Sequence, residues 1–432
     1  MPTSLPDGPP GRIRNTWRIM SDPRQAYCDF QKRYGDMFTV PAMNGTVVVT
    51  CTPAGAKAVF STRSEDTRPF AVEAMRPLVG KDSVLVLHGQ EHFRERRVLM
   101  PPFHGPRMKA YGKTIQDIAR EQISRWSDGQ TIVVQDEMLA ITFRVIIHTI
   151  FGVSDAARVK AYVAAITHLV DTLKPMFVFF RAAQHWLVPG WTAFKRAVET
   201  LDAMLYEDIS DARRAEPNES ILSLLVASTY EDGTPMPDEA IRDELVTLLF
   251  AGHETTAVAL AFCVGRLHRH PEAAAWLRAE ILAADGTPEH LSTCDALEAF
   301  WKETLRLDTI VPDVLRVLER DLDLEGVTVP AGTSVAVAIE RVHRNEALYA
   351  NAEVFRPQRF LERRFSPFEF MPFGGGVRRC VGMALATYEL ELVLAELAKG
   401  PRLEVVSEDR YIRRNLVMGP SEGVRAVVRP PA

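Results

Sequence analysis

The pattern of apolar and polar positions divides the chain into three stretches. Short runs rich in β-branched residues come first, Met37 to Val40 and Thr46 to Thr50, and predict strands. From about residue 90 to 310 the pattern is mainly helical. Val327 to Ile339 again reads as strand and turn, punctuated by Pro330-Ala331-Gly332, and residues 401 to 432 read as short strands and turns. The predicted fold class is mainly α with small β-sheets, an α+β arrangement.

One helix stands out by length. Met236-Pro237-Asp238-Glu239 places a proline and two acids where a first turn favours them, and Pro271 stops the pattern just beyond His270. Thirty-odd residues at ~1.5 Å each span about 50 Å, enough to cross a domain. Leu245 to Gly265 is apolar enough to imitate a membrane span, but a bilayer would penalise His253 and Glu254 at its centre. A buried helix with a functional break is therefore expected. Within Ala251-Gly252-His253-Glu254-Thr255-Thr256 the glycine weakens the helix, and a threonine hydroxyl can bond back to a carbonyl one turn earlier. A local opening here would leave an acid and an alcohol beside room for a small ligand.

Length permits two or three ordinary domains, yet no linker, charge block or repeat divides the 432 residues, so one domain over residues 1–432 is expected. Residues 1 to about 20 read as a polar, proline-rich leader without the apolar core of a signal peptide or membrane anchor. A formal net charge of −5 with 25% charged residues argues against nucleic-acid binding. Five scattered cysteines, Cys28, Cys51, Cys263, Cys294 and Cys380, show no CxxC spacing, which indicates neither a disulfide framework nor a zinc site and fits the cytoplasm.

The densest chemical signal is Phe373-Gly-Gly-Gly-Val-Arg-Arg-Cys-Val-Gly382. Consecutive glycines let backbone approach a flat object closely. Cys380 then precedes a helix-forming run from Met383, whose positive end, with Arg378 and Arg379, should favour a thiolate. Such a thiolate facing open space suits a metal with one vacant axial position. Phenylalanine seven residues before the cysteine, arginine two before and glycine two after closely resemble the haem-binding signature of the cytochrome P-450 family, the haem-thiolate monooxygenases. The segment Ala251 to Thr256 is similar to that family's oxygen-activation motif.

The resemblance implies a triangular helical prism with haem b between two helices, ligated by Cys380. It implies that Phe373 and Gly374 belong to the haem-binding loop and that Arg378, His92, Arg96 and Arg316 serve the propionates. Thr255 would hydrogen-bond dioxygen, Glu254 would belong to the proton route, and Ala251 and Gly252 would line the oxygen pocket; His253 and Thr256 receive no catalytic role. Glu303, Arg306 and Arg359 would form a buried structural network. Thr247, Phe250, Ile310, Val311, Val314, Val417 and Met418 would line a pocket for an apolar substrate, with Asp313 its only nearby charge. The aromatic stretch Lys174 to Trp191 would roof it. Glu340 to Glu346 is similar to a family turn expected at the surface. No GxGxxG, flavin or iron–sulfur signature appears, so electrons must come from a ferredoxin or flavodoxin-type donor with its NAD(P)H reductase. Arg94, Arg97 and Arg379 are candidates for its docking patch. The activity implied is insertion of one oxygen atom from dioxygen into a lipid-, terpenoid-, steroid- or polyketide-like molecule, by hydroxylation or epoxidation. The alternatives are a peroxide-driven peroxygenase and a non-catalytic haem-binding protein.

Overall fold

Proline and short polar caps start several helices where the sequence provides them. Asp22 accepts from Gln25 N ahead of Pro23, and Thr52 accepts from Gly55 N ahead of Pro53. The computed structural model describes residues 4–430, apart from 104–105, 153–154, 175, 178–180 and 415–416. Its first helices are α1 (Arg12–Ser21), α2 (Pro23–Tyr34), α3 (Pro53–Phe60), α4 (Val72–Val79), α5 (Gly89–Leu99), α6 (Pro106–Ser124), α7 (Val134–Phe151) and α8 (Ala156–Thr172). The central ones are α9 (Trp191–Arg214), α10 (Ile221–Val226), α11 (Asp238–Arg269), α12 (Pro271–Ala283), α13 (Pro288–Leu291) and α14 (Asp295–Leu307). Two short helices, α15 (Ile339–Val342) and α16 (Arg359–Glu362), precede α17 (Met383–Lys399).

Helix α11 is the axis of the helical body and packs on α7, α9, α14 and α17. Twenty of its residues, from Ala240 to Gly265, are buried, which explains an apolar stretch long enough to cross a membrane inside a packed core. Gly252 is set by that packing: a Cβ there would lie 2.3 Å from Ile146 Cδ1 of α7. Contrary to the expected break, α11 runs uninterrupted through residues 251–256. Thr255 Oγ1 does donate to Ala251 O at 2.8 Å, but one such bond leaves the helix intact.

Five strands, β1 (Met37–Ala42), β2 (Gly45–Thr50), β3 (Thr67–Pro69), β5 (Val314–Leu318) and β8 (Ser334–Val337), form a sheet in the order β1-β2-β8-β5-β3. The β2–β8 pairing is parallel and the others antiparallel. Strands β4 (Thr131–Val133), β9 (Arg402–Val405) and β12 (Arg425–Arg429) form a three-stranded sheet. Strands β6 (Leu322–Leu324) and β7 (Val327–Val329) make one two-stranded ribbon, and β10 (Tyr411–Arg414) and β11 (Val417–Pro420) another.

Three expectations need correction. Residues 12–20, read as leader, belong to α1, held by buried Asn15, whose Nδ2 donates to Pro9 O and Pro41 O. The 340–346 turn is not superficial, since Glu340 and His343 are fully buried. In the roofing segment, Phe177 and Trp191 are core residues with ring centroids 5.4 Å apart, whereas Trp186 and Leu187 face solvent. Val178, Phe179 and Phe180 lie outside the described residues.

Candidate functional site

The loop before α17 is shaped by its own backbone and by α3. Cys380 N donates to Phe373 O at 3.0 Å and Gly374 N to Met371 O at 3.0 Å. Gly374 and Gly376 both have φ of +67°, a region costly for residues with a Cβ. A Cβ on Gly375 would meet the Phe60 ring at 2.4 Å, and one on Gly376 would meet Phe60 O at 1.8 Å. Two of the three glycines therefore make room for α3, a neighbour that the sequence pattern did not reveal. Burial pushes the Cys380 thiol up, while the Gly382 N–H, Arg96 and Arg379 pull it down. Arg379 acts as expected, but Arg378 does not, because its Nη2 donates to Leu87 O at 2.6 Å. Many atoms crowd Cys380, yet the residue stays solvent-accessible, as does Ala251 on α11.

Four cationic or potentially cationic groups, His92, Arg96, Arg316 and Arg378, converge from α5, β5 and the cysteine loop. Burial, then Arg378, Arg96 and Arg316, hold the His92 imidazole down at about 3. Burial and then Arg316 and Arg96 lower Arg378 to about 9, and burial lowers Arg316 to about 10. The arginines reach backbone oxygens only: Arg96 Nη2 meets Arg379 O at 2.6 Å and Arg316 Nη1 meets Leu315 O at 2.9 Å. Arg378 Nε is buried without a hydrogen-bond partner, and no carboxylate pairs with any of the three among the described residues. Gathered, half-desolvated guanidinium groups without anions are costly unless an anionic group joins them.

On α11, burial raises the Glu254 carboxyl and Arg414 opposes this. Arg414, 160 residues away in sequence, was not foreseen; it is held by Gln135 Oε1 at 2.7 Å and Pro420 O at 3.2 Å. His253 is a satisfied core histidine, its Nδ1 2.7 Å from Leu249 O and its ring stacked on Phe143 at 4.5 Å. Thr256 is buried.

The expected substrate residues separate into two sets. Phe250, Ile310, Val311 and Val314 are partly accessible, and Val314 Cγ2 lies 4.0 Å from where a Gly374 Cβ would stand. Val417 and Met418 are buried, although Met418 N donates to Ile310 O at 2.8 Å and so brings β11 to that segment. Thr247 is also buried, its hydroxyl shared between Ser83 Oγ at 2.6 Å and Asp243 O at 2.7 Å. Asp313 offers no free charge, because Tyr27 OH donates to it and Arg413 acts on it.

Glu303 and Arg306 are wholly buried and meet through two hydrogen bonds of 2.7 and 2.8 Å. Arg359 Nε reaches Glu303 Oε1 at 3.0 Å, and Arg306 Nη1 reaches His343 O at 2.8 Å. His343 Nε2 accepts from Met371 N at 2.9 Å, so the network extends to the start of the cysteine loop. Of the three arginines considered for docking, Arg94 pairs with Asp232 at 3.4 Å and Arg97 with Glu231, which leaves Arg379.

Residues 13–422 match the family model described as Cytochrome P450. The chain is a cytochrome P450. Cytochrome P450 135B1 of Mycobacterium tuberculosis is 35% identical over 409 residues, covering 92% of this chain and 86% of that protein. Cytochrome P450 138 of the same organism is 33% identical over 414 residues, covering 93% and 90%. Among solved structures, retinoic acid bound cyanobacterial CYP120A1 superposes with a TM-score of 0.87 at 23% identity, covering 99% of this chain and 100% of that one. The cytochrome P450DA heme domain superposes with a TM-score of 0.88 at 22% identity, covering 100% and 99%. The P450 fold expected from sequence is thus present, and the protein is an oxidoreductase of the haem-thiolate monooxygenase type. It uses haem held by a cysteine, dioxygen and an electron donor. The residues fit that group: an accessible cysteine beside arginines that no carboxylate pairs with among the described residues matches a metal macrocycle bearing carboxylates.

Proposed function

We propose that Cys380 is the thiolate that would hold the haem iron of this P450 and that His92, Arg96, Arg316 and Arg378 would hold the propionates. The anion-less guanidinium cluster beside the accessible cysteine carries this reading. Each charge-assisted bond made there would contribute roughly 1.5–3 kcal/mol. When bound, haem supplies oxygen activation, with electron density from the thiolate favouring O–O cleavage. The protein's own part is to orient and to manage protons. Glu254, its carboxyl pushed up by burial against the pull of Arg414, stands one residue from Thr255, whose hydroxyl bonds the carbonyl of accessible Ala251. Ala251, Gly252 and Phe250 supply an apolar wall, and Ile310, Val311 and Val314 extend it, which supports an apolar substrate oxidised at a C–H or C=C bond. Electrons come from a separate ferredoxin or flavodoxin-type protein with its NAD(P)H reductase, for which exposed Arg379 is the remaining contact of the three arginines. We read the protein as cytoplasmic.

The reduced carbon monoxide complex tests the ligand. The wild type should show the family's long-wavelength band and Cys380→His should lose it while retaining its helical circular dichroism. A Cys380→His variant that keeps the band would remove the assignment.

A further inference from the structure

Glu391 sits on α17, about 12 Å along the helix axis from Met383. Its side chain is nearly covered, yet it forms part of the wall of a solvent-facing cavity of about 390 Å³. Lys109 of α6, Glu289 of α13 and Thr387 and Tyr388 of α17 belong to the same wall. None of the residues assigned above to haem, dioxygen or substrate lines this cavity. On its inner side Glu391 has one fixed partner: Trp301 Nε1 of α14 donates to Glu391 Oε1 at 3.1 Å. The Trp301 ring stands edge-on to the Phe373 ring, with centroids 6.2 Å apart and planes at 68°. Phe373 O in turn accepts from Cys380 N at 3.0 Å. Successive contacts therefore lead from the cavity to the cysteine loop. Trp301 is also held in place by its own helix, because Glu303, two residues on, is locked to Arg306 and Arg359.

The charges around Glu391 leave its own charge open to change. On α14, Lys302 pulls the carboxyl down and Glu298 pushes it up, and those two pair with each other. Lys109 and Glu289 face the cavity from α6 and α13, and Tyr388 on its own helix feels the Glu391 charge. Helices α11 and α12 also pack on α17, but no charged group of theirs acts on Glu391 among the described residues. Burial is the largest influence and pushes the carboxyl up to about 8, while the Trp301 N–H pulls it down. Ionisation would turn the contact with Trp301 into a charge-assisted hydrogen bond, at the far edge of the ring that meets Phe373.

We propose that Glu391 and Trp301 are positioning residues for the cysteine loop: the charge on Glu391, reached by protons through the cavity, bears through Trp301 and Phe373 on the Cys380 segment and sets how readily bound haem accepts an electron. This rests on the reading of Cys380 as the haem ligand. A negative charge on Glu391 opposes reduction, and a neutral carboxyl lifts that opposition. Bound haem should therefore become harder to reduce as pH rises through about 8. The cavity beside α17 is then the place where the proton load of the solvent governs electron uptake.

Spectroscopic redox titration of the haem-loaded protein, on both sides of pH 8, tests the proposal. The wild type should show a downward step in potential equivalent to a roughly three- to tenfold change in the reduction equilibrium constant. Glu391→Gln keeps an acceptor for Trp301 but cannot ionise, so it should hold the low-pH potential throughout. Trp301→Phe keeps a ring against Phe373 and removes only the N–H that pulls the carboxyl down, so its step should move to higher pH and shrink. A wild-type potential without a step, a full step in Glu391→Gln or an unmoved step in Trp301→Phe overturns the proposal. The carbon monoxide band separates this failure from that of the ligand assignment. A wild-type band with a flat potential removes the role of Glu391 alone, whereas a wild type without the band removes both readings.

Discussion

Thr255 spends its single hydroxyl proton on Ala251 O, yet the same oxygen keeps its lone pairs and can rotate its proton toward a better acceptor. Ala251 next to it is accessible, so such an acceptor has room. Glu254 adds a carboxyl held above its ordinary pKa by burial, with Arg414 pulling the other way. This sets a carboxyl of raised pKa beside a hydroxyl that can hand protons on. Valine at 255 keeps nearly the same volume and removes only the proton. Thr255→Val should load haem normally and consume reduced nicotinamide at a comparable rate, but most electrons should appear as hydrogen peroxide instead of product. Product and peroxide per electron pair are the quantities to measure, and unchanged coupling would show that protons do not pass through Thr255.

Between elements, the decisive contact is the buried contact of α14 with the segment before the cysteine loop. Glu303 accepts from Arg306, Arg359 and Arg356 N, and Arg306 reaches His343 O, so removing one member leaves the others buried without partners. Glu303→Ala and Arg306→Ala should each destabilise by roughly 3–5 kcal/mol. Urea midpoints and the haem-to-protein absorbance ratio check this; a stable, fully loaded variant would show the network to be dispensable. Local pattern carried much of this level. The strands at residues 37–50 and the bounds of α11 were legible because β-branching, capping acids and a stopping proline act on near neighbours. The Glu-x-x-Arg spacing was legible for the same reason. What failed depended on distant partners. Arg94 and Arg97 read as either a docking patch or a solvated face, and their pairing was hidden because Asp232 and Glu231 lie more than 130 residues further on. Glu340 read as a surface charge because the arginine contact from α2, Arg24, is remote. α1 was hidden by the proline-rich run before it, and Arg414 near Glu254 left no local signal.

For the whole molecule, buried titratable groups set opposing responses to pH. Burial holds His92 and His343 at about 3 and His253 at about 4, against 6.5 when free. Their contribution is complete above the unfolded value and is lost as pH falls from 6.5 toward those values. Glu389 and Glu391 run the other way, raised by burial to about 8 from 4.5. Their contribution is complete below 4.5 and is lost as pH rises toward 8. Glu389→Gln removes one such loss, so its stability relative to the wild type should grow with pH across that window, by at most ~1.4 kcal/mol per unit. Urea titrations at several pH values check this, and a gap that stays constant would mean Glu389 is ionised in the fold.

Phe60 and the glycines at 375 and 376 divide one fixed volume between two segments more than 300 residues apart. At 375 the obstacle to a larger residue is a side chain, the Phe60 ring, so the two positions are free to change only as a pair, one shrinking as the other grows. At 376 the obstacle is the Phe60 carbonyl, which every residue at position 60 would present. Substitution at the first glycine is thus conditional on its neighbour, whereas at the second no change elsewhere in side-chain size grants permission. Adjacent letters of one motif carry different evolutionary freedom.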